Sequence, residues 1–427
     1  MFWVLDLMIK LALRRLRKTD VAGPLLLRAA VVGLNFCVMV WLSFQLGLGA
    51  FGALIYLWGG ALVTSAIVSC GGPLVLLRAL CDGSGLRLSQ MIGLTAVLPS
   101  LLCGIGWFAI SLVMPDDRWA TLFAVALSAN AVGCLASIMR AMGSVQSSML
   151  LRDAGPFTAL GVAALLQPTG DAKALLWIAA ALMCLMVAAA TLWCVMHRGA
   201  LAKPAGNHGK WLSLPLWGTS ILGMLMAQVD LIIGGTFMNA EALGLYALLR
   251  RIANVVALPV TVATWVSAKP VAAAYGAGDL IALEQASAKG SQIAWYPALC
   301  IAAVCLCGLA ISATSPLLIV TSQIATCFGI LLFGALVQAF LASGFTVATL
   351  SKYAALSVIA RAATISSYLC FAAFLGANMS PISNAIGYTV AMCLGSGLVW
   401  AVLLQRLGID TSACVLWRRE VPAWRTS

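Results

Sequence analysis

Apolar residues in this chain do not alternate with polar ones. They run in blocks of about twenty, separated by short polar or basic connections. A bilayer core about 30 Å thick needs roughly 20 apolar residues per crossing helix, so each block reads as one membrane span. Six blocks, from Pro24–Leu46 to Ala174–Met196, precede a polar linker that holds Arg198, Lys203, Pro204, Gly206, Asn207 and Lys210. Six more follow: Leu212–Phe237 is the seventh span, Leu243–Val266 the eighth, Ala354–Leu375 the eleventh and Ile382–Leu404 the twelfth. The short alternating pattern of a barrel strand is absent. The expected fold is an all-α polytopic membrane protein with about twelve transmembrane helices.

The linker divides these spans into two six-helix lobes, residues 21–205 and 206–427. An even number of spans gives both lobes the same orientation, as parallel repeats require. Phe51-Gly52 opens the second span and Leu243-Gly244 the eighth, 192 residues later; Arg78 and Lys269 close them. Residues 1–20 form a segment of their own. Asp6, Lys10, Arg14 and Arg17 recur at helical spacing, roughly opposite Phe2, Leu5, Ile9 and Leu16. That pattern predicts an amphipathic helix lying in the membrane interface. The basic cluster follows the apolar start, the reverse of a signal peptide.

Composition narrows the class. The chain is 63% apolar and only 9% charged, with a mean hydropathy of +1.03. Soluble domains run near 45–50% apolar and about 25% charged, so a water-soluble enzyme carrying an anchor is excluded. The net charge of +12 follows from topology. With the N-terminus inside, eighteen Lys and Arg fall at inner ends and only Arg118 and Lys173 in outer loops. The positive-inside rule then places both termini in the cytoplasm, and no nucleic-acid partner is implied. Of fourteen cysteines, twelve lie within spans, where thiols behave as small apolar groups. No CxxC pair exists and both histidines, His197 and His208, flank one loop, so no metal site or metal cofactor is expected.

Function is read from polar groups that a bilayer disfavours, since a charge at its centre costs about 2.5–3.5 kcal/mol on insertion scales. The spans contain Arg28, Arg152, Asp153, Asp230, Arg250, Arg251 and Arg361, with Asn35, Gln228 and Tyr246 as uncharged polar groups. Arg28 and Arg152 lie near an inner end, where a long side chain can equally reach the interface. Arg250 and Arg251 point about 100° apart, so one can pair with Asp230 at similar depth while the other faces a cavity. The alternative is that both only lock the seventh and eighth helices together. Arg361 has no acid near it in sequence. Five arginines against two aspartates favour an anion, because guanidinium groups match phosphate oxygens bidentately. Outer connections are short and neither histidine is placed with an acid, so a catalytic pair is not expected.

Asn35 through Arg78, with Leu48-Gly49-Ala50-Phe51-Gly52 and Gly71-Gly72-Pro73, resembles the first two helices of the Wzx-type polysaccharide flippases. So do Gln228-Val229-Asp230, Leu243-Gly244-Leu245-Tyr246 and Arg250-Arg251-Ile252. The multidrug/oligosaccharidyl-lipid/polysaccharide (MOP) exporter superfamily is similar at the seventh and eighth helices. The resemblance implies two lobes around a central, basic, alternately exposed cavity in a bacterial inner membrane. It implies as substrate an undecaprenyl-pyrophosphate-linked O-antigen-type oligosaccharide, moved to the periplasmic leaflet by a monomer. Polysaccharide polymerase and chain-length regulator are the implied partners. On that basis Arg250, Arg251, Arg361, Arg28, Asn35 and Tyr246 are the expected substrate contacts. Asp230, Gln228, Arg152 and Asp153 are the expected coupling or ion-pair residues, with H+ or Na+ as the coupling ion. Drug-exporting members carry a carboxylate in the first helix, where this chain offers Arg28 and Asn35. A MATE-like drug or metabolite antiporter is the alternative.

Overall fold

The computed structural model describes residues 22–81, 88–167, 171–197, 212–314 and 321–415. The expected amphipathic segment 1–20, most of the linker around residue 205, and the basic tail lie outside them. Every regular element among the described residues is helical. In chain order these are α1 (Ala22–Val68), α2 (Gly72–Cys81), α3 (Leu88–Ile92, Gly93–Val97 and Leu98–Val113), α4 (Arg118–Ala141) and α5 (Val145–Met149, Leu150–Ala154 and Gly155–Leu166). They continue with α6 (Ala172–Met196), α7 (Leu214–Phe237), α8 (Ala240–Val256), α9 (Leu258–Gly276) and α10 (Leu280–Thr314). The last are α11 (Ser322–Phe340), α12 (Gly344–Leu350), α13 (Ala354–Leu375), a single 3-10 turn (Gly376–Asn378) and α14 (Pro381–Leu407).

Ten helices among the described residues are long and apolar enough to cross a bilayer, or eleven when α8 and α9 count as one bent span. One of the ten is α1, which at 47 residues would be about 70 Å long, over twice the bilayer core. It breaks at Gly47, whose φ of 74° and ψ of 159° leave the helical region. The break divides it into two apolar helices, each of about the length a span needs. The eighth span is not the continuous helix the sequence suggests. Pro259 has no N–H to continue the ladder, and α8 and α9 meet there at 43°. With this arrangement of apolar helices, the protein is a multi-pass membrane protein.

By internal contacts the described residues form two compact units. One comprises 22–45 and 64–220, the other 46–63 and 221–415. A division at residue 205 does not anticipate that 46–63 belongs with the second. In the first unit, Val75, Leu76 and Ala79 of α2 pack with Leu94 of α3, Cys134, Leu135, Ile138 and Met139 of α4 and Ala190 of α6. Arg118 and Lys173 share one carboxylate. Arg118 Nε lies 2.5 Å and Lys173 Nζ 3.5 Å from Asp116 carboxylate oxygens. The backbone N–H and then the side chain of Arg118 hold the Asp116 carboxyl below the usual carboxylate range.

In the second unit, the repeat-like glycines meet each other's helices. A Cβ on Gly52 would overlap the Ala240 carbonyl oxygen, and one on Gly244 would overlap the Leu48 carbonyl oxygen. Small residues let helix backbones approach this closely in membranes. Beyond α14 the chain turns at Gly408, with φ 67°, and docks back on the unit. Ile409 enters a core with Val271, Leu283, Val347, Ala360 and Val399. Ser291 Oγ donates to the Thr411 carbonyl at 2.7 Å, and the Ala413 N–H to the Phe340 carbonyl at 3.1 Å. Asp410 Oδ1 accepts from Trp400 Nε1 and from the Ser412 N–H, both at 2.9 Å. Asp410→Ala leaves the Trp400 N–H without its acceptor and is expected to cost about 1–2 kcal/mol. Thermal unfolding of the purified chain measures it, with Asp410→Asn losing less because an acceptor oxygen remains.

Candidate functional site

The second unit buries a polar cluster built from four helices. Tyr246 and Arg250 stand one turn apart on α8, and Asn384 and Tyr388 one turn apart on α14, so each pair shares a helix face. Asp230 on α7 receives both. Its Oδ2 accepts from the Tyr246 hydroxyl at 2.5 Å and lies 2.7 Å from Arg250 Nε. Asp230 and Tyr246 are fully buried and Arg250 is 4% exposed. Asn384 Nδ2 donates to the Asp230 carbonyl at 3.3 Å, and the Tyr368 hydroxyl of α13 donates to Asn384 Oδ1 at 2.5 Å. Gly234 makes room for Asn384, since a Cβ there would come within 2.7 Å of Nδ2. Arg250 Nη2 donates to the Ala227 carbonyl at 2.8 Å and to the Tyr388 hydroxyl at 3.2 Å. The Tyr388 ring centroid lies 4.7 Å from its guanidinium carbon, in cation–π range. The cost of burying Arg250 is thus offset by a carboxylate, a carbonyl, a hydroxyl and a ring.

Beside this cluster lies a cavity of about 400 Å³. Its walls come from α7 (Gly223, Met226, Ala227), α9 (Val260, Thr264), α11 with the turn after it (Gln338, Leu341, Ala342), Phe345 of α12, Arg361 of α13 and three residues of α14. Those three, Tyr388, Met392 and Ser396, recur every fourth residue and so form one helix stripe. Arg361 is the sole charged residue among them. Among the described residues it has no ion pair or hydrogen bond, and it is half-buried. Gly223 lies beneath it, where a Cβ would sit 3.6 Å from Nη1.

The expected substrate contacts therefore separate. Arg361 lines the cavity. Arg250 and Tyr246 are committed to Asp230 inside the protein, because a buried carboxylate needs compensating donors more than a cavity does. Arg251 is half-buried and outside the cavity lining. Gln228 is buried at Gly59 of α1, where a Cβ would sit 3.4 Å from Oε1.

Arg28, Asn35, Arg152 and Asp153 gather in the first unit, around a π-helical turn over Leu150–Ala154. Arg28 Nη1 pairs with Asp153 Oδ2, and Arg152 Nε with Asp153 Oδ1 at 2.8 Å. Asn35 Nδ2 donates to the Asp153 carbonyl at 2.8 Å. A π-turn displaces its carbonyls from the ordinary ladder, and such turns cluster at functional sites. The other π-turn, Gly93–Val97, is answered in the same way: Asn130 Nδ2 reaches the Thr95 carbonyl at 3.4 Å. Tyr388, Tyr368 and Asn384 escape sequence reading. They are uncharged, and nothing in the chain marks their proximity to Asp230 and Arg250 from 138 or more residues away.

No family model matches the sequence, and no curated protein matches it either. Solved structures do match in fold. The MATE multidrug transporter DinF-BH aligns with TM-score 0.59 at 16% identity, over 92% of this chain and 95% of that one. An inward-facing multidrug resistance MATE family transporter of the MOP superfamily aligns with TM-score 0.55 at 12% identity, over 89% and 94%. A MOP superfamily transporter from Pyrococcus furiosus, described as having a binding pocket of reverse polarity, aligns with TM-score 0.54 at 13% identity, over 92% and 97%. The chain has a MATE-like transporter fold.

Proposed function

We propose that this chain is a transporter that moves an anionic, lipid-linked oligosaccharide of the undecaprenyl-pyrophosphate class across a bacterial inner membrane by alternating access. The observation that carries the reading is Arg361, a base with no partner among the described residues, facing a cavity whose described lining contains no acid. An unpaired guanidinium in a low-dielectric site favours an oxyanion. A cationic cargo would call for a carboxylate facing it, and the described lining of this cavity offers none. Here Asp230 is fully buried and held by Arg250 and Tyr246. The Asp230–Arg250 pair remains the place where a coupling H+ or Na+ could compete for the carboxylate.

The membrane potential supplies a driving force without further machinery. Moving one negative charge outward, away from an inside-negative face, gains about 2.3 kcal/mol per 100 mV. A diphosphate crossing the full field gains roughly twice that. Arg361→Ala at matched expression, in a strain lacking its own flippase, is expected to lower surface polysaccharide at least tenfold. A charge-assisted hydrogen bond is worth about 1.5–3 kcal/mol. Arg361→Lys keeps the charge, loses the fork, and should recover part of the activity. Full restoration by the alanine variant would overturn the reading.

A further inference from the structure

We infer that Tyr388 is the second half of the anion site: its hydroxyl donates to the oxyanion held by Arg361, and Arg250 positions it to do so. The inference rests on the reading above and adds a residue and a chemistry to it. A phenol has one proton to donate and lone pairs to accept with. On Tyr388 the accepting side is taken. Arg250 Nη2 donates to that oxygen at 3.2 Å while the guanidinium sits over the ring, 4.7 Å from its centroid. The proton has no acceptor among the described residues, and the half-buried Tyr388 lines the same cavity as Arg361. A tyrosine whose oxygen already accepts from a cation is a stronger donor, because chained hydrogen bonds polarise one another.

The geometry holds that donor in place. Tyr388 follows Asn384 by one turn, and Asn384 is fixed by the Tyr368 hydroxyl and the Asp230 carbonyl. Arg250 is committed to Asp230, 2.7 Å away, and so acts on the ligand through Tyr388. The other polar groups of the wall are weaker candidates. Thr264 donates its proton to the Val260 carbonyl at 2.9 Å, and among the described residues neither Gln338 nor Ser396 accepts a hydrogen bond from a cation as Tyr388 does. Arg361 and Tyr388 together make a two-point site, one charge and one polarised hydroxyl. That pairing suits the non-bridging oxygens of a phosphate or pyrophosphate ester.

The test measures binding of inorganic pyrophosphate and of geranylgeranyl diphosphate to the full chain in lipid nanodiscs, by calorimetry. Tyr388→Phe keeps the ring over Arg250 and removes only the hydroxyl. It is expected to weaken both probes about tenfold or more while lowering the unfolding temperature only slightly, since Arg250 keeps Asp230, the Ala227 carbonyl and the ring. The paired change Asp230→Leu with Arg250→Met keeps the interior neutral. It should weaken binding severalfold in the parent, and no further in the Tyr388→Phe background, the signature of a residue acting through the hydroxyl. Tighter binding of the prenyl diphosphate, lost in the same proportion, assigns the site to a lipid headgroup; equal binding of the two probes assigns it to free phosphate, and the role of Tyr388 stands in both cases. Parent-like affinity in Tyr388→Phe, with Arg361→Gln weakened, overturns the inference and spares the functional reading. Parent-like affinity in Arg361→Gln as well overturns both.

Discussion

Asp230→Ala lowers the stability of the folded chain by about 3–5 kcal/mol, the expected cost of leaving one member of a buried ion pair without its partner. Arg250 is then a cation 4% exposed, with a carbonyl, a hydroxyl and an aromatic face but no counter-charge. The Tyr246 hydroxyl, fully buried, also loses its acceptor. Replacing both partners with apolar residues of similar size removes the charge with its compensation. Such exchanges are often neutral or stabilising. Asp230→Leu with Arg250→Met should therefore recover most of what Asp230→Ala loses. Thermal unfolding of the purified variants measures both. A double variant as unstable as the single one would show that the cluster is held by something other than its charges.

The second large effect is steric. Gly244→Leu forces a side chain into the Leu48 carbonyl, and Gly52→Leu forces one into Ala240. Backbone cannot swing aside as the end of a flexible side chain can. Each substitution should cost more than about 4 kcal/mol, in the range reserved for severe overpacking, and be seen as loss of the monodisperse detergent-solubilised peak. Gly104 supplies the contrast. It lies within α3 with nothing inside 4 Å of its missing Cβ, so Gly104→Ala should be neutral or stabilising by roughly 0.5–1 kcal/mol. Equal behaviour of Gly244→Ala and Gly104→Ala would contradict the close crossing.

Much of this architecture is legible in the chain because a bilayer enforces it. Every span must satisfy its own backbone inside hydrocarbon, so apolar length alone locates helices such as α13 and α14 to within a few residues. Intramembrane charges are legible for the same reason, since each must be answered. The equal depth of Asp230 and Arg250 follows from counting residues along α7 and α8. What the chain hides is lateral. Whether Arg250 or Arg251 meets Asp230 depends on helix rotation, and rotation is set by Gly234 admitting Asn384 and by Gly52 and Gly244 meeting backbone to backbone. A π-turn adds one residue without altering the hydrophobic pattern, so nothing announces the turn that presents Asp153 to Arg28 and Asn35. Tyr388 is hidden for a third reason. A lone tyrosine in an apolar span is ordinary until α8 brings a guanidinium to it.

The most direct measurement uses the purified chain in liposomes with an imposed potential, following transfer of a fluorescent polyprenyl-diphosphate oligosaccharide between leaflets. The expected result is transfer by the parent chain that quickens with the potential and slows at least tenfold in Arg361→Ala. Transfer by Arg361→Ala at the parent rate would contradict the account. So would a parent chain that leaves the lipid-linked glycan in place and instead moves a cationic dye.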